Sequence, residues 1–431
     1  MIPIVKADGT VELEFIRQLK KRSGEVDEKV NQAVAQIIAQ VKERGDEAVR
    51  EYTVKFDGRA PENPEISKKE LKEAENSRTP EFLDALRRAA ENIADFHRRQ
   101  VQQSWLETKK DGVILGQRIR GLQRVGLYVP GGTAAYPSSV LMNAIPAKIA
   151  GVQELIMVTP PGKDGRPNQD ILAAASIAGV DRVFLMGGAQ AAAALAFGTQ
   201  RVPKVDKIVG PGNIFVATAK KQLYGVVDID MIAGPSEILV LADGSCDPAF
   251  VAADLLSQAE HDKLASAVLI TTSPELAEAV SHELERQIPL LPRAEIARHS
   301  IDTNGKIIVC QSMERAVEIS NAIAPEHLEV CVDEPFSLLS QIKNAGSIFL
   351  GKNVPEALGD YFAGPNHTLP TSGTARFSSP LSVDDFVKKS SFLYYPKAAL
   401  ADVKDRVVDF ALQEGLAAHA KSVSIRFEEN S

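Results

Sequence analysis

The feature that most constrains this fold is a repeated alternation of short apolar strands, glycine-rich turns and alanine-rich helices. One series runs from about residue 125 to 240, and a second of the same kind runs from 248 to 350. Such alternation is typical of a parallel sheet, because a crossover helix must return the chain to the same end of the sheet. We therefore predict an α/β fold with two Rossmann-like parallel-sheet domains. The candidate strands are 125–129, 155–158, 183–186, 207–209, 238–241, 266–271, 306–309, 328–332 and 346–350.

The segments outside these two series differ in character. Helical spacing and capping signals predict helices over 26–52, from 80 to about 102, and over 398–414. The stretch 351–382 is rich in Pro and Gly and has neither a helical nor a strand period. A loop of that length inside a compact protein is more often functional than idle. We expect small helical segments towards both ends of the chain and a functional loop over 351–382.

Composition and charge exclude several classes of protein. The chain of 431 residues has 49 Lys and Arg against 57 Asp and Glu, and the net charge of −8 argues against a nucleic-acid partner. No apolar run approaches the roughly 18 residues of a membrane-spanning helix, and the first residues lack the pattern of a secretory signal. The three cysteines are odd in number and far apart, which fits a reducing compartment. We expect a cytoplasmic enzyme with neither a nucleic-acid nor a membrane partner.

Three strand ends lead into glycine-rich turns, where an α/β sheet binds its ligands. Each turn precedes a helix whose free N–H groups could face a phosphate. The chain contains no GxGxxG motif, so the Rossmann-like domains are expected to be incomplete. Tyr128 could stack on a base, Gln190 could hydrogen-bond a cofactor, and Asn213 stands where a helix cap would stand. The same residues could equally serve only as turns and caps.

Two pairs of residues could carry chemistry in the second series. Gln258 and His261 are three apart at the end of a predicted helix, so they share a face and could either hold a metal ion or cap the helix. Glu326 and His327 are adjacent and could form an acid/base pair. Neighbours on a strand point to opposite faces, so both reach one site only if the segment is still a loop, which Pro325 favours.

The other polar candidates differ in their surroundings. Asp360 and His367 lie in the loop 351–382, where polar side chains are candidates for a site. Glu414 and His419 are five apart and would not share a helix face, and a histidine this near the C-terminus is usually on the surface. Three further histidines lie in charged stretches and are expected on the surface: His97, His282 and His299.

These motifs together resemble the histidinol dehydrogenase family, from about residue 20 to 427. So many strings in one order make a chance resemblance implausible. The most specific strings are 125–132, 210–213, 233–237, 256–262, 324–329 and 359–386.

The resemblance implies a reaction and a set of site residues. Such enzymes oxidise L-histidinol to L-histidine in two NAD-dependent steps through L-histidinal, the last step of histidine biosynthesis. One zinc ion per subunit would be held by Gln258, His261, Asp360 and His419. The acid/base pair would be Glu326 and His327. Further substrate contacts would be Ser236, His367 and Glu414, beside His327 and the zinc ligands. NAD contacts would be Tyr128, Gln190 and Asn213.

The resemblance also implies a domain organisation and a homodimer. Residues 26–124 with 237–381 would form the first Rossmann-like domain, which carries the metal and catalytic residues, and 125–236 an inserted second domain on the NAD side. An N-terminal segment, 1–25, and a helical tail, 382–431, would complete the chain. The tail of one chain would complete the site of its partner, which would explain why Glu414 and His419 lie so far from the other site residues.

Two other functions use the same residues. One is a zinc-dependent hydrolase in which Glu326 activates water and the glycine-rich turns bind no nucleotide. The other is a non-catalytic protein on this fold that has lost its activity. NAD binding separates the dehydrogenase from the hydrolase. In the dehydrogenase, we expect His327 to accept the hydroxyl proton of the alcohol and Glu326 to activate water in the second oxidation.

Overall fold

Two six-stranded, largely parallel sheets organise most of the chain. They are seen in a computed structural model that describes residues 1–22, 28–131, 136–162 and 164–428. Both sheets lie in one unit, made of Met1–Val101 and Leu122–Phe386, and a smaller second unit is made of Gln102–Gly121 and Val387–Ser431. The predicted α/β class with two Rossmann-like parallel sheets is confirmed.

The secondary structure alternates along most of the chain. The strands are β1 (Ile4–Lys6), β2 (Glu65–Ile66), β3 (Trp105–Thr108), β4 (Ile114–Gly121), β5 (Arg124–Tyr128), β6 (Glu154–Thr159), β7 (Arg182–Leu185), β8 (Lys207–Val209), β9 (Asp228–Ile229), β10 (Glu237–Ala242), β11 (Ser266–Thr271), β12 (Lys306–Val309), β13 (His327–Cys331), β14 (Ser347–Leu350) and β15 (Val387–Tyr394). The helices are α1 (Val11–Arg22), α2 (Glu28–Arg44), α3 (Asp46–Asp57), α4 (Lys68–Asn76), α5 (Pro80–Arg98), α6 (Pro137–Ile149), α7 (Gln169–Ile177), α8 (Gly188–Phe197), α9 (Ile214–Leu223), α10 (Pro248–Ala259), α11 (Pro274–Gln287), α12 (Ala294–Asn304), α13 (Met313–Ile323), α14 (Phe336–Leu339), α15 (Glu356–Tyr361), α16 (Lys397–Gln413) and α17 (Ala417–Ser424).

The first sheet has the strand order β1-β12-β11-β10-β13-β14, with every neighbouring pair parallel. Its central strands β10 and β11 are almost continuously apolar and buried, and helices cover both faces. Strands of this composition belong in the middle of a parallel sheet, where neither face meets water. The pairing of Ile238 with His327 sets the second residue of β10 beside the first residue of β13.

The second sheet has the order β2-β7-β6-β5-β8-β9, and only β2 runs antiparallel to its neighbour. Alternate strand residues feed two cores on its two faces. One core takes in α4, α5, α6 and α7, and the other takes in α2, α3, α8 and α9. The carboxyl ends of β5, β7 and β8 in this sheet lead into the glycine-rich turns.

The packing of the N-terminal segments differs from the prediction that assigned 26–124 to the first Rossmann-like domain. Helices α2 to α5 pack on the second sheet instead. The segment 1–25 was assigned to neither domain, and its strand β1 pairs with β12 in the first sheet. The physical reason is that an amphipathic helix such as α2 needs an apolar sheet face, and its own sequence does not say which sheet provides one.

The second unit is built on an antiparallel sheet of order β15-β4-β3. The tail 382–431 was expected to be helical. It instead contributes the eight-residue strand β15 to this unit, ahead of α16 and α17. Gly116 on β4 lies beneath the ring of Phe392 on β15, and an added Cβ would lie 2.2 Å from that ring.

A search of the described helices for a membrane span, by length and apolar composition, finds none that qualifies.

A buried carboxylate ties together three helices of the second sheet. Glu75 on α4 is 5% exposed and accepts hydrogen bonds from Lys72, from Arg87 on α5 and from Ser176 on α7. Burial opposes the charged form, but these three donors outweigh it and lower the pKa of Glu75 to about 2. The ionised carboxylate therefore stabilises the packing of α4 on its neighbours.

We expect Glu75→Gln to lower the free energy of unfolding at pH 7 by about 2–3 kcal/mol, since one pKa unit is worth about 1.4 kcal/mol. Because the folded-state pKa is depressed, this stabilisation is complete above about pH 5 and is lost as the pH falls from 4.5 towards 2. Urea unfolding of both proteins at pH 7 and pH 3 measures it. Glu73→Gln, at a solvent-exposed ion pair with Lys69 on the same helix, is the control and should change little. An equal difference at both pH values would contradict this account.

Candidate active site

A cavity of about 300 Å³ lies where the two sheets of the first unit meet. Residues 210–212, which follow β8, and Pro130, which follows β5, line it from the carboxyl ends of the second sheet. Ser236, Glu326 and His327 line it from the amino ends of β10 and β13. The cavity thus joins opposite ends of two parallel sheets.

Glu326 and His327 are both held by the backbone of Glu237. The N–H of Glu237 donates to the Glu326 carboxylate at 2.9 Å, and its carbonyl lies 3.0 Å from Nδ1 of His327. Because Glu326 immediately precedes β13, both side chains face the cavity, as the analysis of Pro325 required. With Nδ1–H directed at a carbonyl, Nε2 of His327 is left as the reactive nitrogen.

The electrostatics of this pair favour the retention of a proton. Burial raises the pKa of Glu326, against the opposing effect of His327. Burial would lower the pKa of His327, but the surrounding carboxylates of Glu326, Asp360 and Glu356 outweigh it and raise that pKa. The two groups lie 3.7 Å apart and titrate as a unit. Such a pair can accept and return protons while shielded from bulk water.

Asp360 and His367 reach the same cavity from the segment predicted to be a loop. That segment contains the short helix α15, which ends just after Asp360. An Asp360 carboxylate oxygen lies 3.8 Å from Nε2 of His327 and 3.8 Å from Nδ1 of His367. His367 is fixed by the carbonyl of Asp360 at 3.1 Å and by the Ser139 hydroxyl at 3.4 Å.

Three of the predicted zinc ligands line this cavity: Gln258, His261 and Asp360. Gln258 is 1% exposed, and among the described residues its amide nitrogen has no hydrogen-bond partner. Burial lowers the pKa of His261, so its imidazole is neutral, which is the metal-binding form. A carboxylate, a neutral imidazole and the carbonyl oxygen of a buried amide together fit a divalent cation with nitrogen and oxygen ligands.

Glu356 is a site residue that sequence analysis missed. It is 3% exposed, it accepts a hydrogen bond from Ser257 at 2.9 Å, and its other oxygen lies 3.8 Å from Nε2 of His327. Potential ligand atoms of His327, Glu356 and Asp360 lie within 4.8 Å of one another. The sequence did contain a signal for Glu356: it is four residues before Asp360, so the two carboxylates share a face if the segment is helical. It was overlooked because 351–382 was interpreted as irregular.

The predicted NAD contacts lie near the glycine-rich turns of the second sheet, but the described residues that line the cavity do not include them. Tyr128 is buried, and its hydroxyl accepts the N–H of Gly188 at 3.0 Å. Asn213 caps α9 by accepting the N–H groups of two residues in its first turn. Gln190 is fully buried, and within the described part of the chain its amide has no partner. Tyr128 and Asn213 therefore have structural roles, whether or not they also contact a cofactor.

Glu414 and His419 lie in the second unit. Glu414 follows α16, His419 lies on α17, and both are exposed. Neither is among the residues that line the cavity. Of the histidines expected on the surface, His282 and His299 are exposed, whereas His97 is fully buried and that expectation was wrong.

Fold and site define an α/β enzyme with a buried acid/base pair beside a candidate metal site. The family model for histidinol dehydrogenase matches residues 20–427. The chain is 57% identical over 422 residues to histidinol dehydrogenase of Clostridium acetobutylicum and 56% identical over 424 residues to that of Listeria monocytogenes. These matches cover 98% of this chain and 98% and 99% of the two relatives. A crystal structure of histidinol dehydrogenase from Elizabethkingia anophelis matches with a TM-score of 0.92 at 36% identity, over 99% of this chain and 98% of that one. The chain belongs to the histidinol dehydrogenase family, which confirms the resemblance of its motifs.

Asp360 belongs to two candidate ligand sets, one with Gln258 and His261 and the other with His327 and Glu356. The two sets predict different effects of substitutions on metal binding. His261 is the neutral imidazole, so we expect His261→Asn to weaken Co²⁺ binding at least about a hundredfold, as loss of a ligand does. Glu356→Gln should weaken it only about tenfold, as loss of a supporting group does. Equilibrium dialysis and the visible spectrum of bound Co²⁺ measure both. His282→Asn, on the surface, is the control. The opposite ranking would make Glu356 the ligand.

Proposed function

We propose that this protein oxidises L-histidinol to L-histidine in two NAD-dependent steps through L-histidinal, the last step of histidine biosynthesis. The observation that carries the proposal is the convergence of predicted site residues on one cavity, in a chain of this family. They are Ser236, Gln258, His261, Glu326, His327, Asp360 and His367.

One zinc ion per subunit is part of this proposal. Gln258, His261 and Asp360 would hold it, and the resemblance gives His419 of the partner subunit as the fourth ligand. When bound, redox-silent zinc would orient the imidazole and amine of the substrate and would offset the negative charge around His327. The support is the donor set itself: a neutral imidazole, a buried amide whose carbonyl oxygen can bind a cation, and a carboxylate, all in one cavity.

NAD is the proposed oxidant and accepts one hydride in each step. We assign it to the second-sheet side of the cavity, with Tyr128, Gln190 and Asn213 as the residues that contact it. The glycine-rich turn 210–212 supports this assignment, because it lines the cavity opposite the acid/base pair. A ligand at the carboxyl ends of parallel strands follows the general rule for α/β sheets.

The side chains of the first sheet move the protons. In the first step, Nε2 of His327 accepts the hydroxyl proton while the carbinol carbon gives up its hydride and becomes an aldehyde. In the second, Glu326 takes a proton from the water that adds to the aldehyde, and His327 returns its proton to the aldehyde oxygen. The hydrate then gives up a second hydride and a proton to become the acid. Ser236 and His367 contact the substrate and hold its reacting carbon in place.

A homodimer completes the proposal, with Glu414 and His419 of one chain contacting the substrate and zinc of the other. Its support is the surface of the second unit, which exposes large apolar side chains that water does not favour. They include Trp105, Leu106, Leu393, Tyr394, Phe410 and Leu412. A cytoplasmic location fits the three buried cysteines, which carry free thiols.

Incubation of the purified protein with L-histidinol and NAD tests the whole proposal. We expect two NADH per histidinol by absorbance, loss of turnover after a strong chelator, and recovery on addition of zinc. One NADH per histidinol would limit the activity to an alcohol dehydrogenase. Retained metal with neither NADH nor NAD binding would favour the zinc-dependent hydrolase.

Glu326→Gln should separate the two oxidations. Without a base to activate water, we expect oxidation of L-histidinal to slow by about a hundredfold or more, while oxidation of L-histidinol slows by less than about tenfold. Single-turnover formation of NADH from each substrate measures the two steps. Glu334→Gln, on the surface, is the control. An equal loss in both steps would show that Glu326 and His327 act together throughout.

A further inference from the structure

A buried ion pair stands beside the cavity and takes no part in the chemistry proposed above. Lys220 on α9 and Asp230, just after β9, form it, and both line the cavity. Their side chains are only 3% and 1% exposed. Removing two charges from water is costly, and apolar residues of similar size often give equal or greater stability. The pair therefore calls for a role other than stability.

The pair encloses the backbone of one residue, Gly210, in the glycine-rich turn after β8. Lys220 Nζ donates to the carbonyl of Gly210 at 3.0 Å, and the N–H of Gly210 donates to Asp230 at 2.7 Å. A second oxygen of Asp230 accepts the N–H of Met231 at 2.6 Å. Both backbone groups of Gly210 are thus fixed by opposite charges, which hold the turn more firmly than neutral partners would.

The turn that the ion pair holds packs closely against the end of β5, which carries Tyr128. Gly210 has φ +109°, and an added Cβ would lie 2.1 Å from the carbonyl oxygen of Tyr128. The Tyr128 hydroxyl accepts the N–H of Gly188, which begins the helix that carries Gln190. The turn itself runs into Asn213, the cap of α9. One chain of contacts therefore links the ion pair to all three residues assigned to the cofactor.

We propose that Lys220 and Asp230 are positioning residues that set the turn 210–213 to receive the pyrophosphate of a dinucleotide. The inference rests on the proposed NAD-dependent function. It names the ion pair that would position the cofactor-binding turn. Lys220 has a second effect, because it neutralises a carboxylate that would otherwise repel an anionic ligand. Loss of Lys220 alone should therefore harm cofactor binding more than loss of both charges.

Titration of the zinc-loaded protein with NAD, followed by calorimetry, tests this inference. We expect Lys220→Met to raise the Kd for NAD at least tenfold and to raise KM for NAD in parallel. KM for histidinol and zinc content should change less than twofold. The double variant Lys220→Met, Asp230→Leu should recover the thermal midpoint of the wild type, yet still bind NAD at least fivefold more weakly.

A matched control exists on the same sheet. Lys207 on β8 is also buried and pairs with Asp228 on β9 at 3.0 Å, although the Asp228 side chain is 52% exposed, and neither residue lines the cavity. Lys207→Met should lower the thermal midpoint without changing the Kd for NAD. If Lys220→Met does not fold, the double variant carries the test by itself.

The outcomes separate this inference from the function on which it rests. A double variant that binds NAD as tightly as the wild type would overturn the positioning role and leave the dehydrogenase intact. Weakened NAD binding in Lys207→Met to the same degree would reduce the effect to general stability and overturn it too. A zinc-loaded wild type that binds no NAD would overturn the proposed function, and this inference with it.

Discussion

The parallel pairing of β10 with β13 fixes the positions of Glu326 and His327, the proposed acid/base pair. In this register the two backbone groups of Glu237 are directed at Glu326 and His327, so the main chain orients both side chains. A slip of one residue would turn His327 to the opposite face of the sheet and break both interactions. Leu328 and Val330 on β13 oppose that slip, because they pack in an apolar core and the slip would place His327 and Glu329 there instead. The geometry of the chemistry thus follows from the burial of the strands.

That constraint places several carboxylates in a region with little water. Glu329, on β13, and Glu356 are both buried, and burial raises their pKa values to about 9 and about 7. The N–H of Glu356 donates to Glu329 at 2.8 Å, and Ser257 donates to Glu356. Protonation and these donors make the burial of so many acids tolerable. The apolar cores of the two sheets provide the stability that the site does not.

Sequence patterns predicted the strands well, because buried parallel strands need unbroken runs of Val, Ile and Leu. The predicted strand 155–158 lies within β6, and 266–271 coincides with β11. The partners of amphipathic helices were not predictable, since one apolar face does not specify which sheet covers it. The site was predicted where the residues lie in family motifs, and the structure brings seven of them to one cavity. Glu356 was missed because six residues of helix were hidden among prolines and glycines.

His97 shows why the misassigned helices matter to the site. It continues the apolar face of α5 after Ile93, and this position in the helical period favours burial. The prediction of a surface residue relied on the charged neighbours of His97 instead. Its Nε2 lies 3.5 Å from the Asn366 amide, which also donates to the carbonyl of Met142 at 2.6 Å.

A second contact between the same helix and loop lies one turn away. Asn92 on α5 donates to the carbonyl of Phe362 at 2.9 Å. Gly364 has φ +112°, and a Cβ there would lie 2.7 Å from the Asn92 carbonyl oxygen, so only glycine allows this approach. The loop that carries Asp360 and His367 is therefore held by helices of the second sheet, while its side chains meet the acid/base pair of the first. Asn92 and His97 on α5 thus support the site through this loop, although neither lines the cavity.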